Sequence, residues 1–487
     1  MKKIIIILMV LAVISVFSFG YSLRMNSLGR VNIALTDFES DLQRNPALIT
    51  GLEKPYLKLN LGTTNAKTGY ALDGWETVDY TWIEDQITES SSLPIGITGF
   101  YKVGNLSFGL QFDMPSGVGK NENLLNELNA VTGEAYDQIT KTEIDVSAQN
   151  LSISAGYKLG SIIFGVNTGQ MNFNRITTQN DFTKSVNGTV TINTYEEEGE
   201  ETIEGTWYGF GAGYIQEKYS CDLSYKIFSY STEFKMNKSI TDGTPNDLTD
   251  FDAYPLENSE YVNTLIQFKG SYNLKSDWNV SMGMDVYSGE SLIDTTDSTH
   301  GKYRNIESER DYTNYVIGVG KEAEELRIGC ELGLMQVEEM RNLYAFQGTT
   351  FFKVQDVTID FVLYQIRAGF EYDLSDKFTV RAGGVKYLLK DRKYTENIYI
   401  LTDLLESINS ELNDDRLNAY VVSFGVDYKI KQNISLTYGY QAGDYLYDDI
   451  YATLKDSNYY INEINDNYSG LSQNTKRIHK VAAKYEF

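Results

Sequence analysis

Acid-base or nucleophilic chemistry needs a partnered base, and this chain has two histidines, His300 and His479. His300 lies in DTTDSTHG (294–301), where Asp294 and Asp297 are its nearest carboxylates. That is the one pair able to polarise a hydroxyl or a water. It comes with no nucleophile motif, and a solvated acidic loop explains it equally well. His479 belongs to an alternating apolar segment. No zinc spacing, phosphate-binding glycine loop or EF-hand loop occurs. We therefore expect no enzyme, no cofactor and no metal centre. Acidic runs such as EEEGEE (196–201) and DLTDFD (247–252) read as solvated faces.

The elements that carry the remaining residues are strands. The chain ends HKVAAKYEF, with His479, Val481, Ala483, Tyr485 and Phe487 on one face and Lys480, Ala482, Lys484 and Glu486 on the other. Period two recurs in LSISAGYKL (151–159), WNVSMGMDV (278–286) and YVVSFGVDYKI (420–430). Each pairs an apolar or aromatic face with one that is small, polar or charged. No stretch beyond the N-terminus is apolar enough for a spanning helix. Aromatic residues make up 13% of the chain, with 37 Tyr and 40 Gly against 6 Pro. Such strands, about ten residues long in the hydrocarbon, fit a closed barrel with lipid outside and a wet lumen inside.

Short turns are expected at 103–107, 158–162, 215–220, 273–278, 321–326, 373–378 and 429–434, with longer polar loops between them. With a first strand near 56–62 and a last ending at Phe487, the turns give 16 strands, with 14 as the alternative. The predicted fold is all-β, a transmembrane antiparallel β-barrel. SVNGTVTI (185–192) adds an Asn-Gly hairpin signal inside an outer loop. Cys221 and Cys330 fall on separate strands and face outward, so no disulfide is expected.

The chain opens MKKIIIILMVLAVISVFSFGYS, a basic start, a short apolar run and small residues, which reads as a signal peptide over 1–22. The net charge of -25 argues against nucleic acid as a partner. Residues 55–487 would form the barrel. Residues 23–54 are not strand-like. DFESDLQR predicts a short helix with Asp37 as N-cap and Glu39 in its first turn, stopped at Asn45-Pro46.

Two outer loops carry helical spacing. Leu401, Leu404, Leu405, Ile408 and Leu412 share one helix face, as do Leu124, Leu125, Leu128 and Val131. Two readings stay open: the helices pack together as a cap, or they frame a landing site for an apolar ligand. The charges assigned to the lumen are Arg327, Glu331, Arg367, Glu371, Arg381, Asp427, Lys429, Lys480 and Lys484. They either anchor an internal segment or line an ion path.

Gly29, Ala34, Asp37, Ser40, Asn45, Pro46 and Ala47 resemble the N-terminus of the FadL-type long-chain fatty-acid and hydrocarbon transporters. In that family small and acidic residues lead to an Asn-Pro-Ala triplet before the first strand. The resemblance implies that residues 23–54, with Asp37, Asn45, Pro46 and Ala47, fold into the lumen as a hatch. A strap around the barrel base is the alternative. It also implies passive import of hydrophobic small molecules such as long-chain fatty acids across a bacterial outer membrane. The aromatic end at Phe487 resembles the signal read by the barrel-insertion machinery. A diffusion porin and a non-transporting scaffold barrel remain the other classes.

Overall fold

The structure, a computed structural model, describes residues 22–76, 80–129, 135–185, 191–239, 256–274, 277–297, 301–347, 350–400, 403–412, 418–443 and 475–487. His300, Leu401, Val131, DLTDFD, most of the leader and the Asn-Gly signal lie outside the described residues.

The strands run β1 (Tyr56–Glu76), β2 (Tyr80–Val103), β3 (Leu106–Asn129), β4 (Ala135–Leu159), β5 (Ile162–Ser185) and β6 (Thr191–Ile215). They continue with β7 (Tyr219–Ser239), β8 (Leu256–Asn273), β9 (Trp278–Asp297), β10 (Gly301–Glu322), β11 (Leu326–Gln347) and β12 (Thr350–Ser375). Last come β13 (Phe378–Ile400), β14 (Asp403–Leu412), β15 (Asn418–Lys431), β16 (Ile434–Gly443) and β17 (Thr475–Glu486). Neighbours pair antiparallel, and β1 pairs with β17 from Tyr56↔Glu486 to Lys67↔Thr475, which closes the barrel. The upper part of β13 pairs with β14 and its lower part with β15. These two segments make one wall position, so the barrel has sixteen. All seven short turns fall where the alternating pattern breaks.

The outer face is apolar. On β1, Leu57, Leu59 and Leu61 are exposed, while Tyr56 and Lys58 are buried on the inside. Val481, Tyr485 and Phe487 are exposed on the same outer surface, and Ile478 and Ala482 turn inward. Sixteen positions of this pattern would aggregate in water. Lipid is the solvent that suits them, and closure leaves no unpaired edge in it. Cys221 and Cys330 are free thiols exposed on this face.

Two expectations are corrected. Leu124, Leu125 and Leu128 lie on β3, and Leu404, Leu405, Ile408 and Leu412 lie on β14, so neither stretch is helical. Cross-strand partners run the length of both, such as Leu124↔Ile139 and Tyr399↔Leu404. A backbone already paired on the ladder gains nothing from a helix, and helical spacing marks no face in a strand. Strands are also longer than a membrane crossing requires: β3 has 24 residues and β12 has 26. Much of what reads as outer loop is the same sheet continued above the bilayer.

We expect Cys330, in a Cys221→Ser background, to react in proteoliposomes with an apolar maleimide and to resist a membrane-impermeant one. Equal labelling by both reagents would place this face in water.

Candidate functional site

Residues 22–52 lie against the polar inner face of the wall. They form α1 (Leu23–Ser27), α2 (Phe38–Arg44) and a 3-10 helix, Pro46–Gly51. Asp37 caps α2 as its sequence implies, accepting the Ser40 N–H at 3.0 Å. Asn45 is extended (φ -138°, ψ 117°) and ends the helix. Its Oδ1 accepts the Ala47 N–H at 2.9 Å and so starts the next turn, with Pro46 at the position where a missing N–H costs nothing. Its Nδ2 donates to Asp222 Oδ1 at 3.0 Å and to the Leu223 carbonyl at 3.1 Å. The Asn-Pro-Ala triplet is thus a joint between two helices and the wall.

A segment this irregular leaves many backbone groups off any ladder, and wall side chains take them up. Glu331 Oε1 accepts the N–H groups of Ile33 and Ala34 at 2.5 and 2.9 Å. Its Oε2 accepts from Arg367 at 3.2 Å. Glu322 accepts the Thr36 N–H and hydroxyl. Carbonyls receive donors in turn: Asn26 from Gln441 at 2.7 Å, Asn32 from Lys269 at 3.0 Å, Leu52 from Lys102 at 2.7 Å, and Gln43 from Lys226.

Two arginines fix the ends, Arg44 buried and Arg24 half-buried. Arg24 grips Glu371 through Nε at 2.8 Å and Nη2 at 3.1 Å. Glu371 also accepts from Arg327 at 2.6 Å and from Arg381, which continues to Asp427 at 2.8 Å. Arg44 donates to both carboxylate oxygens of Asp222, at 2.5 and 2.9 Å. Burial opposes the charge of Arg24 and Arg44, but Glu371 and Asp222 outweigh it, so both guanidinium groups are held above their ordinary range.

Glycines make the seat. A Cβ on Gly318 would stand 2.9 Å from Ala34 Cβ, and one on Gly283 would stand 2.9 Å from Ile33 Cδ1. Gly165 and Gly211 leave the space taken by Pro46 and Asn45, and Gly369 and Gly383 the space taken by Leu28. Phe38 packs on Phe100 at 5.1 Å, over Leu42, Ile49 and Tyr56.

The structure thus joins six of the expected luminal charges, Arg327, Glu331, Arg367, Glu371, Arg381 and Asp427, into networks around this segment. Lys429 lies exposed near the lower end of β15, apart from them. Lys484 bonds Glu486 at 2.9 Å and covers the Tyr56 ring at 4.1 Å. Lys480 shares the inward face of β17 with Ile478 and Ala482. Asp222, Lys226, Lys269, Glu322 and the glycine seat were not foreseen. The alternation that marks Asp222 and Lys226 as inward residues was available. Their partners, which belong to a segment 178 to 183 positions earlier, were not.

A second feature corrects the expectation of a uniformly polar lumen. Above the level of the segment several inward positions are apolar, beside the buried charges Glu339, Arg175 and Glu201. Met335 and Val337 on β11 join Ile359, Phe361 and Leu363 on β12, Val385 and Tyr387 on β13, Val421 on β15 and Ile478 on β17. Leu363 is 0% exposed and Phe361 5%, whereas outward Leu332 is 64% exposed. Ala148, Phe173 and Ile203 form a like patch on β4 to β6. Between the patches stand two stacked tyrosine pairs, Tyr230–Tyr261 at 4.4 Å and Tyr287–Tyr312 at 4.8 Å.

The wall itself has a weak place. Pro94 on β2 faces Pro115 on β3. The β1–β2 ladder skips from Leu61↔Ile95 to Thr64↔Ser92, and the β3–β4 ladder from Asp113↔Asn150 to Ser116↔Ser147. Proline cannot donate to a ladder, which accounts for both gaps. A hollow of about 510 Å³ lies beside them, lined by Leu93, Ser116, Val118, Val146 and Ile176 among others.

No protein-family model matches the chain, and no curated protein does. Among solved structures it aligns with the Pseudomonas putida toluene transporter TodX, at 9% identity and a TM-score of 0.39, over 96% of this chain and 99% of that one. It aligns with a Pseudomonas aeruginosa FadL homologue at 12% identity and 0.42, over 94% and 96%, and with the monoaromatic hydrocarbon channel CymD at 10% and 0.33, over 95% and 96%. At these scores the likeness carries no argument, and the fold stands on the strand register.

Asp222→Asn leaves buried Arg44 with Asp41 alone, at 3.6 Å, which costs up to about 3 kcal/mol. Hydrogen exchange should then show loss of protection across residues 38–52 with the wall strands unchanged. Arg44→Met with Asp222→Leu should keep most of that protection.

Proposed function

We propose that this protein is a passive transporter of hydrophobic small molecules, set in a bacterial outer membrane, with residues 23–54 as its hatch. The observation that carries the reading is the apolar level inside the lumen, directly above a segment tied to the wall on many sides. A pore for hydrated solutes gains nothing from buried Leu363, Phe361 and Val421. An apolar solute does, because each Å² it takes from water is worth about 25 cal/mol. Such a solute would enter from the loop end, partition among the apolar and tyrosine side chains, and stop above the hatch. The gaps at Pro94 and Pro115 supply a sideways route, since a wall short of ladder bonds is the cheapest place to part. Long-chain fatty acids and small aromatic hydrocarbons both fit this chemistry. On the same reading, residues 1–22 are the export signal, and Phe487 is presented to the insertion machinery.

The test is uptake of an apolar fluorescent probe into proteoliposomes, beside permeation of a small sugar. We expect probe uptake without sugar passage, and Leu363→Asp should cut the probe rate about tenfold, equivalent to about 1.4 kcal/mol. Sugar passage without probe uptake would make the protein a porin.

A further inference from the structure

We infer that the internal segment has a second function, to hold the barrel shut. It fastens the β1–β17 seam from inside, and Glu39 supplies the charge that lets these two strands meet. The inference goes beyond the transport reading and is independent of what the barrel carries.

The seam differs from the other ladders of the wall. Those join strands near one another in the chain, whereas β1 and β17 come from its two ends, Tyr56 against Glu486. No hairpin aligns them beforehand, so bringing them together carries the largest loop-closure cost in the sheet. The register then sets Lys58 directly against Lys484. Like charges at such a pairing repel. Lys484 has a carboxylate from its own strand, Glu486 at 2.9 Å, which also lies 3.7 Å from Lys54. Lys58 takes its counter-charge from the segment instead: its Nζ donates to Glu39 at 2.6 Å. The same carboxylate accepts the Tyr56 hydroxyl at 3.0 Å, and Lys484 lies over the Tyr56 ring at 4.1 Å. Glu39 thus stands where the two lysines converge. Lys58 is 8% exposed, so water screens it little.

The segment also joins the strands on either side of β17. It follows the wall round in reverse strand order. Asn26 is held by Gln441 of β16, Ala34 by Glu331 of β11, Arg44 by Asp222 of β7 and Leu52 by Lys102 of β2. α2 then closes the circuit. On one side it meets the start of α1: the Ser22 N–H donates to Ser40 Oγ at 2.9 Å, and Arg24 lies 3.7 Å from Asp37. α1 itself is seated on β16, where Leu23 and Ser27 fill the space at Gly439. On the other side Glu39 holds β1, and Phe38 packs on Phe100 of β2 at 5.1 Å. The two neighbours of β17 are therefore tied to each other through α1 and α2 as well as through β17 itself.

The experiment is hydrogen exchange of the full chain in detergent micelles, in three forms: unaltered, Glu39→Gln, and Glu39→Gln with Lys484→Gln. Lys484 contacts the wall residues Glu486 and Tyr56, so changing it acts on the seam. We expect Glu39→Gln to speed exchange about tenfold at residues 56–67 and 475–487, with the β11–β12 ladder unchanged. Adding Lys484→Gln should restore most of that protection, because it removes the charge that faces Lys58. An unchanged seam in Glu39→Gln would overturn the inference, and so would a loss confined to residues 37–52. A seam loss that Lys484→Gln does not restore would overturn it too, since Glu39 would then act only by seating the segment. Should Glu39→Gln not fold, the folded fraction after dilution from urea is read by circular dichroism instead. Folding regained with Lys484→Gln then supports the inference, and failure of both forms overturns it.

Discussion

Every peptide unit within the membrane must find a hydrogen-bond partner in surroundings where water is scarce. Lipid outside the wall offers none, so the sheet closes, β1 on β17. Inside, thirty residues of short helices and turns cannot form a ladder, so the wall becomes their solvent. Glu331, Glu322, Gln441, Lys269, Lys102 and Lys226 meet backbone groups of residues 26–52 one by one. The polar inner face is therefore a set of fitted partners before it is a channel lining.

That fitting depends on close approach, which explains the glycines. A side chain at Gly165, Gly211, Gly318 or Gly383 would push the segment off the donors and acceptors it needs. The buried ion pairs then set register rather than add much stability, because desolvation offsets a good part of their attraction. Arg24 on Glu371 of β12 and Arg44 on Asp222 of β7 sit on separate parts of the wall, and together they fix the placement of the chain between them. Glu371, shared by three arginines, links that placement to four neighbouring strands.

Apolar residues appear on both sides of the wall, for different reasons. Outside they face lipid along the whole crossing. Inside they occupy one level, stacked above the charged one, where strands cluster Met335, Phe361, Leu363, Val385 and Val421. That level, together with a broken ladder at two opposed prolines, is what the proposed transport of apolar molecules rests on.

What the sequence alone determined is what local chemistry determines. Alternation of period two identified the outer face, since that face meets one uniform solvent. The seven turns set the strand count, because the pattern must break where the chain reverses. Asp37, Asn45 and Pro46 marked a capped helix and its stop, since capping is satisfied within four residues. The helical spacing of Leu124–Leu128 and Leu404–Leu412 misled for the converse reason: a spacing is a signal within one stretch, and ladder partners on the neighbouring strands overrode it. Only the tertiary structure decided which inward residues serve the internal segment, which glycines seat it, and which apolar residues cluster above it. Each of those facts depends on which strands stand opposite and at what height, and closure of the barrel, not any stretch of sequence, sets that.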